Sequence, residues 1–221
     1  MLAVASRYPG ATVRLQADTV SAMLVDGTEV EFRPIGPDDK PLLERGMAKL
    51  SPASRRLRFM SSVDNLSRSQ LAYLTEIDHQ AHLAWGALVA GEPVAVARII
   101  RHPDESASAE IAITVVDEWQ RRGVGKLLVR LLAEVGRSLG VERFDFEALA
   151  ENQGIVRLLG GFGAVHSLSE GVVSGSLPVA AIEPAMFSGG ELLELAQIAR
   201  RRDAAGRTRP VNLPGSASSG E

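Results

Sequence analysis

The spacing of hydrophobic residues changes several times along the chain, and each change marks a different element. Short alternating or continuously apolar runs predict strands, whereas repeats of three and four residues predict amphipathic helices. The predicted strands are residues 19–25, 28–35, 81–90, 93–101, 109–116, 141–148, 162–168 and 172–179. The predicted helices begin near residues 37, 51, 66, 123, 152 and 191. This order predicts an α/β fold with one mixed central β-sheet and helices on both of its faces.

Short polar signals between these runs indicate where elements turn or begin. Asp26-Gly27 separates the first two strand-like runs, and this dipeptide is typical of a hairpin. Ser51-Pro52 places a capping residue and a proline at a helix start. Ser67 and Gln70 have the spacing of a capping box. The polar stretch 102–108 has no period and predicts a loop.

The 221 residues are enough for one domain with appendages. An N-terminal arm without a clear period (1–18) precedes the folded domain (19–180). A C-terminal helix (181–202) and a tail rich in Gly, Ser, Pro and Arg (203–221) follow it. We expect the tail to be disordered because it contains too little apolar surface to fold.

The composition excludes several classes of function. Hydrophobic residues make up 45% of the chain and its net charge is −3, so no nucleic-acid or membrane partner is expected. No cysteine is present, which removes disulfides and a cysteine nucleophile and fits a cytoplasmic protein. His79 and His82 are three residues apart but lack a third ligand, so no metal is expected. The sequence assigns no oligomeric state.

The most informative stretch is Gln120-Arg121-Arg122-Gly123-Val124-Gly125-Lys126, which joins an alternating strand to a long amphipathic helix. Its glycines allow a tight turn and a close approach of the backbone to a ligand. The new helix offers unpaired N–H groups and the positive end of its dipole. Its two arginines and its lysine add positive charge. Together these features predict a pyrophosphate-binding turn.

Two common phosphate-binding motifs do not fit this turn. A P-loop requires Ser or Thr where Leu127 stands and Gly where Gln120 stands. A dinucleotide fingerprint requires a small residue at Leu128. The turn does resemble the [QR]-x-x-G-x-[GA] motif of the GNAT acyltransferases, and the whole strand, turn and helix from 110 to 128 resemble that family.

The resemblance to the GNAT family runs from about residue 29 to 179, roughly two thirds of the chain. It implies the GNAT fold and acetyl-CoA as co-substrate, with the pyrophosphate held by the turn 120–126. The segment 146–163 resembles the family's next strand and helix, in which an asparagine approaches the pantetheine or phosphate arm. Asn152 occupies that position; it also suits a helix N-cap, and both roles are compatible.

Transfer of an acetyl group to an amine needs a base that keeps the amine neutral. In the strand 109–116, Glu110 lies on the face opposite Ala109 and Ile111. Glu110-Ile111-Ala112 resembles the step that carries the proposed base in bacterial protein-lysine acetyltransferases of this family. We therefore predict Glu110 as the base and Glu147, on the neighbouring strand, as the second candidate.

The resemblance implies two further groups for the reaction. A backbone N–H near Val115 or Val116, at a strand bulge, would polarise the thioester carbonyl. Many members also supply a tyrosine after the asparagine helix to protonate the leaving thiolate. The only tyrosines here are Tyr8 and Tyr73, which lie elsewhere in the sequence, so water or another group would have to do this.

The acceptor is the least constrained substrate. Residues 30–39 and 50–59 resemble the opening of the Pat-type protein acetyltransferase domain, which implies a protein lysine as acceptor of the acetyl group. A small primary amine is the alternative acceptor. A module that binds acyl-CoA without turnover is the alternative function. Arg55, Arg56 and Arg58 either line the acceptor groove or form a solvated helix face.

Overall fold

The computed structural model describes residues 14–16, 19–102, 105–184 and 188–206. Within them are nine strands and six α-helices. The strands are β1 (Arg14–Gln16), β2 (Thr19–Met23), β3 (Glu29–Pro34), β4 (His82–Val89), β5 (Glu92–His102), β6 (Glu105–Val115), β7 (Arg143–Leu149), β8 (Val165–Ser169) and β9 (Val172–Pro178). The helices are α1 (Lys40–Ala48), α2 (Pro52–Phe59), α3 (Arg68–Thr75), α4 (Val124–Ser138), α5 (Gln153–Gly160) and α6 (Gly189–Gly206).

All nine strands form one mixed sheet in the order β1-β2-β3-β4-β5-β6-β7-β9-β8. Every neighbouring pair is antiparallel except β6 and β7, which are parallel. The connection between these two strands contains α4, because parallel neighbours need a crossover. The predicted mixed sheet is therefore confirmed.

Helices cover both faces of the sheet, as the hydrophobic pattern predicts. On one face α4 packs against β5 and β6, and α6 packs against α4. The apolar stripe of α4 is buried here: Val124, Leu128, Leu131, Leu132 and Val135. On the other face α1, α2 and α3 line a cavity over the sheet, and Leu43 of α1 packs against a smaller cluster formed by Ile35, Ile77 and Ala84. Side chains at alternate positions of β6 consequently face different helical layers.

The helix starts that the sequence predicts at Ser51 and Ser67 are confirmed. The Ser51 side chain accepts from the Ser54 N–H at 3.1 Å at the start of α2. At the start of α3, Gln70 N–H donates to Ser67 Oγ at 3.2 Å and Ser67 N–H donates to Gln70 Oε1 at 2.8 Å. The capping box thus satisfies N–H groups that the helix itself leaves unpaired.

Three boundaries differ from the prediction. Residues 14–16 of the expected arm form β1, which pairs with β2; residues 1–13 and 17–18 lie outside the described part. The expected loop 102–108 is largely strand, because β6 begins at Glu105 and pairs with β5. The C-terminal helix runs to Gly206, so the start of the expected tail is helical, and residues 207–221 lie outside the described part.

Candidate active site

The two parallel strands at the middle of the sheet separate part of the way along their length. The β6–β7 ladder is confined to Ser108–Glu110 of β6 and Arg143–Asp145 of β7. Beyond it, β6 continues to Val115 with a partner only in β5, and β7 continues to Leu149 with a partner only in β9. A gap therefore opens between the C-terminal halves of these two strands.

Backbone groups of β6 point into this gap. Val116 N–H donates to Val94 O at 2.9 Å, and Val115 pairs with Ala95. In an antiparallel ladder, hydrogen-bonded pairs alternate with pairs that exchange no hydrogen bond, and Val115 belongs to the second kind. The N–H and C=O of Val115 therefore point away from β5 and towards β7. The same holds two residues earlier, at Ile113. The amides of Ile113 and Val115 are thus directed at the gap.

These bonds correct one prediction. The Val116 N–H is already used by the sheet, so it is not a free donor for a thioester carbonyl. The Val116 side chain is buried, whereas that of Val115 is half-buried. The pairing of β6 with β5 is also regular from Ala109 to Val115, so the expected bulge is absent from this described stretch. The candidate donors are therefore the N–H groups of Ile113 and Val115, which alternate along β6 with residues that bond to β5.

The turn 120–126 follows directly after β6 and begins α4. The Gln120 side chain donates to Val115 O at 3.1 Å, which ties the turn to the end of the strand. Arg121 has a φ of 61° and Gly123, the N-cap, a φ of 102°. No side chain caps this helix end, and the first helical bond runs from Leu127 N–H to Gly123 O at 3.1 Å. The N–H groups of residues 124–126 therefore precede the first helical donor, as an anion site requires.

The three cations of the turn have different surroundings. The side chains of Arg121 and Lys126 are exposed. Arg122 pairs with Asp26 of the β2–β3 hairpin at 2.6 Å, and its guanidinium lies 4.1 Å from the centre of the Trp119 ring. This guanidinium holds the pKa of Asp26 at about 2. All three cationic side chains are thus exposed, and the charge of Arg122 is shared with Asp26.

Close packing keeps the first turn of α4 near α5. A Cβ at Gly125 would lie 3.1 Å from Leu158 Cδ2 and 3.9 Å from Val115 Cγ2, so glycine permits this approach. Val124, at the first helical position, is buried. Asn152 caps α5 through its side-chain oxygen, which accepts from the Ile155 N–H at 3.2 Å. The capping role of Asn152 is confirmed, and its contact with the co-substrate stays a prediction.

The two candidate bases lie on the same face of the sheet. Glu110 is the last residue of the β6–β7 ladder, so it lies where the gap begins, and its side chain is exposed. Glu147 lies further along β7, is also exposed, and accepts from Ser174 Oγ at 3.3 Å. Because Glu110 pairs with Asp145, two residues before Glu147, all three side chains share the face covered by α2.

Asp117 connects α2 to the end of β6. Its carboxylate accepts from the Ser51 N–H at 2.6 Å, from the Ser54 hydroxyl and from Gln120 Nε2 at 3.3 Å. The start of α2 and the turn 120–126 are thereby held by one carboxylate. Arg56 of α2 also pairs with Glu151, just before α5. Both contacts join the helical layer to the loops that border the gap.

A buried polar cluster near Glu110 was missed by the sequence reasoning. Arg98 of β5 is 3% exposed, and its Nη1 lies 2.9 Å from His82 Nε2. Both its terminal nitrogens also approach the Leu74 carbonyl, at 3.4 and 3.5 Å. Burial, and then the charge of Arg58, lower the pKa of Arg98 to about 9. The sequence does contain a signal for this cluster, because Arg98 interrupts the apolar run of β5.

Burial also lowers the pKa of Arg58 on α2, and the nearby Glu110 opposes this shift. Of its neighbours on α2, Arg55 donates to Leu50 O at 3.0 Å and Arg56 is paired with Glu151. The three arginines therefore neither form a uniformly solvated face nor act alike. Arg58 is the one whose pKa responds to the charge of Glu110 among the described shifts.

Two negative findings hold for the described part of the chain. No group of three or more His, Cys, Asp or Glu side chains there could hold a metal ion. No helix in the same ranges has the length and apolar character that a membrane crossing requires.

Comparison with known proteins agrees with this geometry. The acetyltransferase (GNAT) family profile matches residues 53–163. Acetyltransferase Pat of Mycolicibacterium smegmatis is 32% identical over 176 residues, which are 77% of this chain and 52% of that protein. Acetyltransferase PA5475 of Pseudomonas aeruginosa is 34% identical over 121 residues, which are 53% of this chain and 64% of that protein. The chain thus spans about half the length of one curated relative and under two thirds of the other.

The fold has a solved counterpart with a similar arrangement. The crystal structure of the GNAT domain of S. lividans PAT superposes with a TM-score of 0.69 at 26% identity. The match covers 75% of this chain and 99% of that domain. The separated strands, the glycine turn before α4 and the family match together lead to one conclusion: the chain belongs to the GNAT family of acetyltransferases.

Proposed function

We propose that this protein transfers an acetyl group from acetyl-CoA to a primary amine, preferably a protein lysine, by direct attack of the amine on the thioester. One observation carries the proposal. Glu110 is exposed where β6 and β7 separate, and the amides of β6 and the uncapped end of α4 border the same gap. The proposed base, the proposed carbonyl-polarising N–H groups and the proposed phosphate site thus adjoin one opening.

The reaction places a specific demand on each of these groups. Neutralising a lysine with a pKa near 10.4 at about pH 7.4 costs about 4 kcal/mol, so a carboxylate that removes the proton accelerates attack. Glu110 is proposed to take this proton. The N–H groups of Ile113 and Val115 are proposed to donate to the carbonyl oxygen as it gains charge. The chain has no cysteine for an acyl-enzyme, which favours direct transfer.

The co-substrate is proposed to lie with its pyrophosphate on the amides of residues 124–126 and with its thioester in the gap. Arg121 and Lys126 would neutralise its phosphates, and Asn152 at the start of α5 would border the pantetheine arm. No tyrosine follows α5, because Tyr73 lies on α3. The leaving thiolate is therefore proposed to take its proton from water.

The likeness to Pat supports a protein lysine as the acceptor, and a small primary amine is the alternative. Release of CoA thiol should be measured with acetyl-CoA and a panel of lysine peptides, whole proteins and polyamines. Acetylation of peptides at a higher kcat/KM than polyamines is the expected result. Binding of acetyl-CoA in calorimetry without thiol release on the whole panel would instead indicate a module that senses acyl-CoA.

The role of Glu110 is tested by Glu110→Gln, which keeps the size of the side chain and removes its basicity. We expect kcat to fall by about 10²–10⁴, because proton transfer is lost. The Kd of acetyl-CoA, measured by calorimetry, should stay within about twofold, since the phosphate site is untouched.

Glu147→Gln is the matched control for this experiment. Its side chain is also an exposed carboxylate on the same face of the sheet, but it lies on β7 beyond the ladder. We expect it to retain kcat. A loss of turnover in Glu147→Gln with normal turnover in Glu110→Gln would assign the base to β7 instead.

A further inference from the structure

A cavity of about 70 Å³ lies between the sheet and the three helices α1, α2 and α3. Its walls are mostly aliphatic, and Thr114 and Val116 of β6 form part of its floor. Two of the lining side chains are cationic, Arg58 of α2 and Arg98 of β5. The cavity therefore combines an apolar body with a positively charged region.

The two arginines have no carboxylate within ion-pair distance among the described residues. Arg98 contacts only the Leu74 carbonyl and the neutral imidazole of His82. The Arg58 guanidinium lies 5.3 Å from the centre of the Phe59 ring and makes no hydrogen bond within the described ranges. Arg98 is buried and Arg58 is half-buried. Cations removed from water are normally paired, because the loss of their hydration is costly unless an opposite charge compensates it. A bound anion would therefore stabilise these two neighbouring positive charges.

Two buried polar atoms in the cavity wall are also unsatisfied. Thr114 Oγ1 and Arg98 Nε are buried and have no hydrogen-bond partner in the described structure. Unsatisfied buried polar groups are uncommon in folded proteins and call for an explanation. A bound ligand could satisfy both atoms if one of its polar groups accepted a hydrogen bond from Arg98 Nε and another from the Thr114 hydroxyl.

The cavity adjoins the proposed position of the thioester. Thr114 and Val116 face the cavity, while the amides of Ile113 and Val115 on the same strand face the gap. Arg98 pairs with Ala112 of β6, so the two side chains lie next to each other on the same face of the sheet. An acyl chain attached in the gap would enter the cavity by turning over β6, whose Thr114 and Val116 line it.

The size of the cavity limits the length of such a chain. At about 10–15 Å³ for each water-sized site, 70 Å³ holds roughly five heavy atoms. A succinyl group adds four heavy atoms to the acetyl group: one methylene carbon and the three atoms of a carboxylate. Its three C–C bonds span about 4 Å.

We propose that this cavity is an acyl-chain site and that the enzyme also transfers short acyl groups that end in a carboxylate, such as succinyl from succinyl-CoA. The terminal carboxylate would pair with Arg58, while Arg98 and the Thr114 hydroxyl complete its surroundings. The charge of Glu110 acts on Arg58 from outside the cavity lining, in which Arg58 and Arg98 are the two charged side chains. This proposal rests on the proposed function, because it uses the same thioester position and the same base.

The reaction balances in the same way as acetyl transfer. The acceptor nitrogen forms a bond to the thioester carbonyl carbon, and the carbon–sulfur bond breaks. Glu110 takes the proton that the amine loses. CoA leaves as the thiolate and is protonated by water, and the product is an amide that ends in a carboxylate. No oxidant or metal is needed.

The test compares three donors on the full chain: acetyl-CoA, butyryl-CoA and succinyl-CoA. Butyryl-CoA is the control, because it has the same carbon count as succinyl-CoA but no carboxylate. We expect calorimetry without an acceptor to give a Kd for succinyl-CoA about 10–100-fold below that for butyryl-CoA, as a charge-assisted hydrogen bond provides. The kcat/KM of the two donors should differ in the same direction.

Arg58→Gln should abolish the preference for succinyl-CoA over butyryl-CoA, and Arg58→Lys should retain part of it. Arg56→Gln is the matched control, because this residue is also on α2 but pairs with Glu151 outside the cavity. It should keep the wild-type preference. Equal affinity for the two donors, or a preference that survives Arg58→Gln, would overturn the proposal.

The two proposals fail in different ways. If acetyl-CoA is used and succinyl-CoA is neither bound more tightly than butyryl-CoA nor transferred, only the acyl-chain site is wrong. If no donor acylates any acceptor, the proposed function is wrong. The calorimetric comparison then still decides whether the cavity binds a carboxylate.

Discussion

Gly123 and Gly140 flank α4 with backbone torsions that glycine alone adopts without strain. Gly123 has a φ of 102° at the start of the helix, and Gly140 has a φ of 75° just after its end. A Cβ at Gly123 would meet only Leu24 Cδ2, at 3.7 Å, and a Cβ at Gly140 would meet nothing within 4 Å. An alanine at either position would therefore carry the same kind of backbone strain, but at opposite ends of α4.

Gly123→Ala should cost about 1–2 kcal/mol of unfolding free energy, because the alanine is held in a left-handed conformation. It should also raise the Kd of acetyl-CoA by about tenfold, since relaxing that strain moves the amides that face the pyrophosphate. Gly140→Ala should lose similar stability and keep normal affinity. Urea unfolding and calorimetry measure the two quantities, and equal affinities in both variants would remove the turn from the binding site.

At the scale of elements, the neutral side chain of His82 on β4 contacts both α3 and Arg98 of the sheet. His82 Nε2 accepts from the Arg98 guanidinium at 2.9 Å, and the Tyr73 ring of α3 lies 5.3 Å from the imidazole ring. Burial lowers the pKa of His82 to about 3, and the charges of Arg98 and His79 act in the same direction while Asp78 opposes them. Protonation would replace the hydrogen bond by a repulsion between two cations.

The protein should therefore lose stability below neutral pH. The unfolded chain binds a proton on this histidine near pH 6.5, whereas the folded chain does so only near pH 3, so unfolding becomes easier as the pH falls between them. From pH 7.5 to 5.5 this one group removes about 1.4 kcal/mol.

His82→Gln supplies the comparison, because its amide oxygen can accept from Arg98 but does not titrate. Urea unfolding at constant ionic strength should show a loss smaller by about 1.4 kcal/mol than in the wild type between these pH values. The contribution of His79, whose pKa is also lowered by burial, is present in both proteins and cancels. Identical losses would mean that His82 is not held neutral in the fold.

Elements that depend on local signals were predictable from the sequence. Ser51 and Ser67 begin α2 and α3 because their side chains bond N–H groups only three residues away. The start of β6 at Glu105 was missed, because pairing of Glu105 with β5 and of Ser108 with β7, rather than local alternation, makes this stretch a strand. Sequence period therefore predicted the layers of the fold better than the ends of its strands.

The same distinction applies to the site. Alternation predicts that Glu110 and Ala109 lie on opposite faces, and the structure agrees. Alternation does not show which N–H groups of β6 are hydrogen-bonded to the neighbouring strand. The prediction therefore included Val116, whose N–H donates to Val94 O. Arg58 and Arg98 come from different elements, and only the packing of α2 over β5 brings both into one cavity.

For the molecule as a whole, α6 extends the fold beyond the residues that match the family profile. It packs on α4 and buries Leu192, Leu195 and Ala196. α6 also contacts β3, so it packs on both the sheet and α4. The helix that begins at the glycine turn is thereby held by the sheet and by α6.

The two helices approach each other closely at Gly189. A Cβ there would overlap the backbone carbonyl of Glu134 and the hydroxyl of Ser138, both on α4. Ser138 could rotate away, but the backbone of α4 cannot move without disturbing the core. Gly190, the next residue, is exposed, and a Cβ there would meet only Ser188 Oγ at 3.6 Å.

Gly189→Ala should therefore lower the free energy of unfolding by about 1–3 kcal/mol, as overpacking does, because α6 must shift away from α4. Gly190→Ala adds the same methyl group one position along and should be neutral or slightly stabilising, since alanine favours a helix. Urea unfolding with a fitted m-value measures both. If Gly189→Ala is as stable as Gly190→Ala, α6 does not rest on α4 through this glycine, and the stability of α4 must come from the sheet side alone.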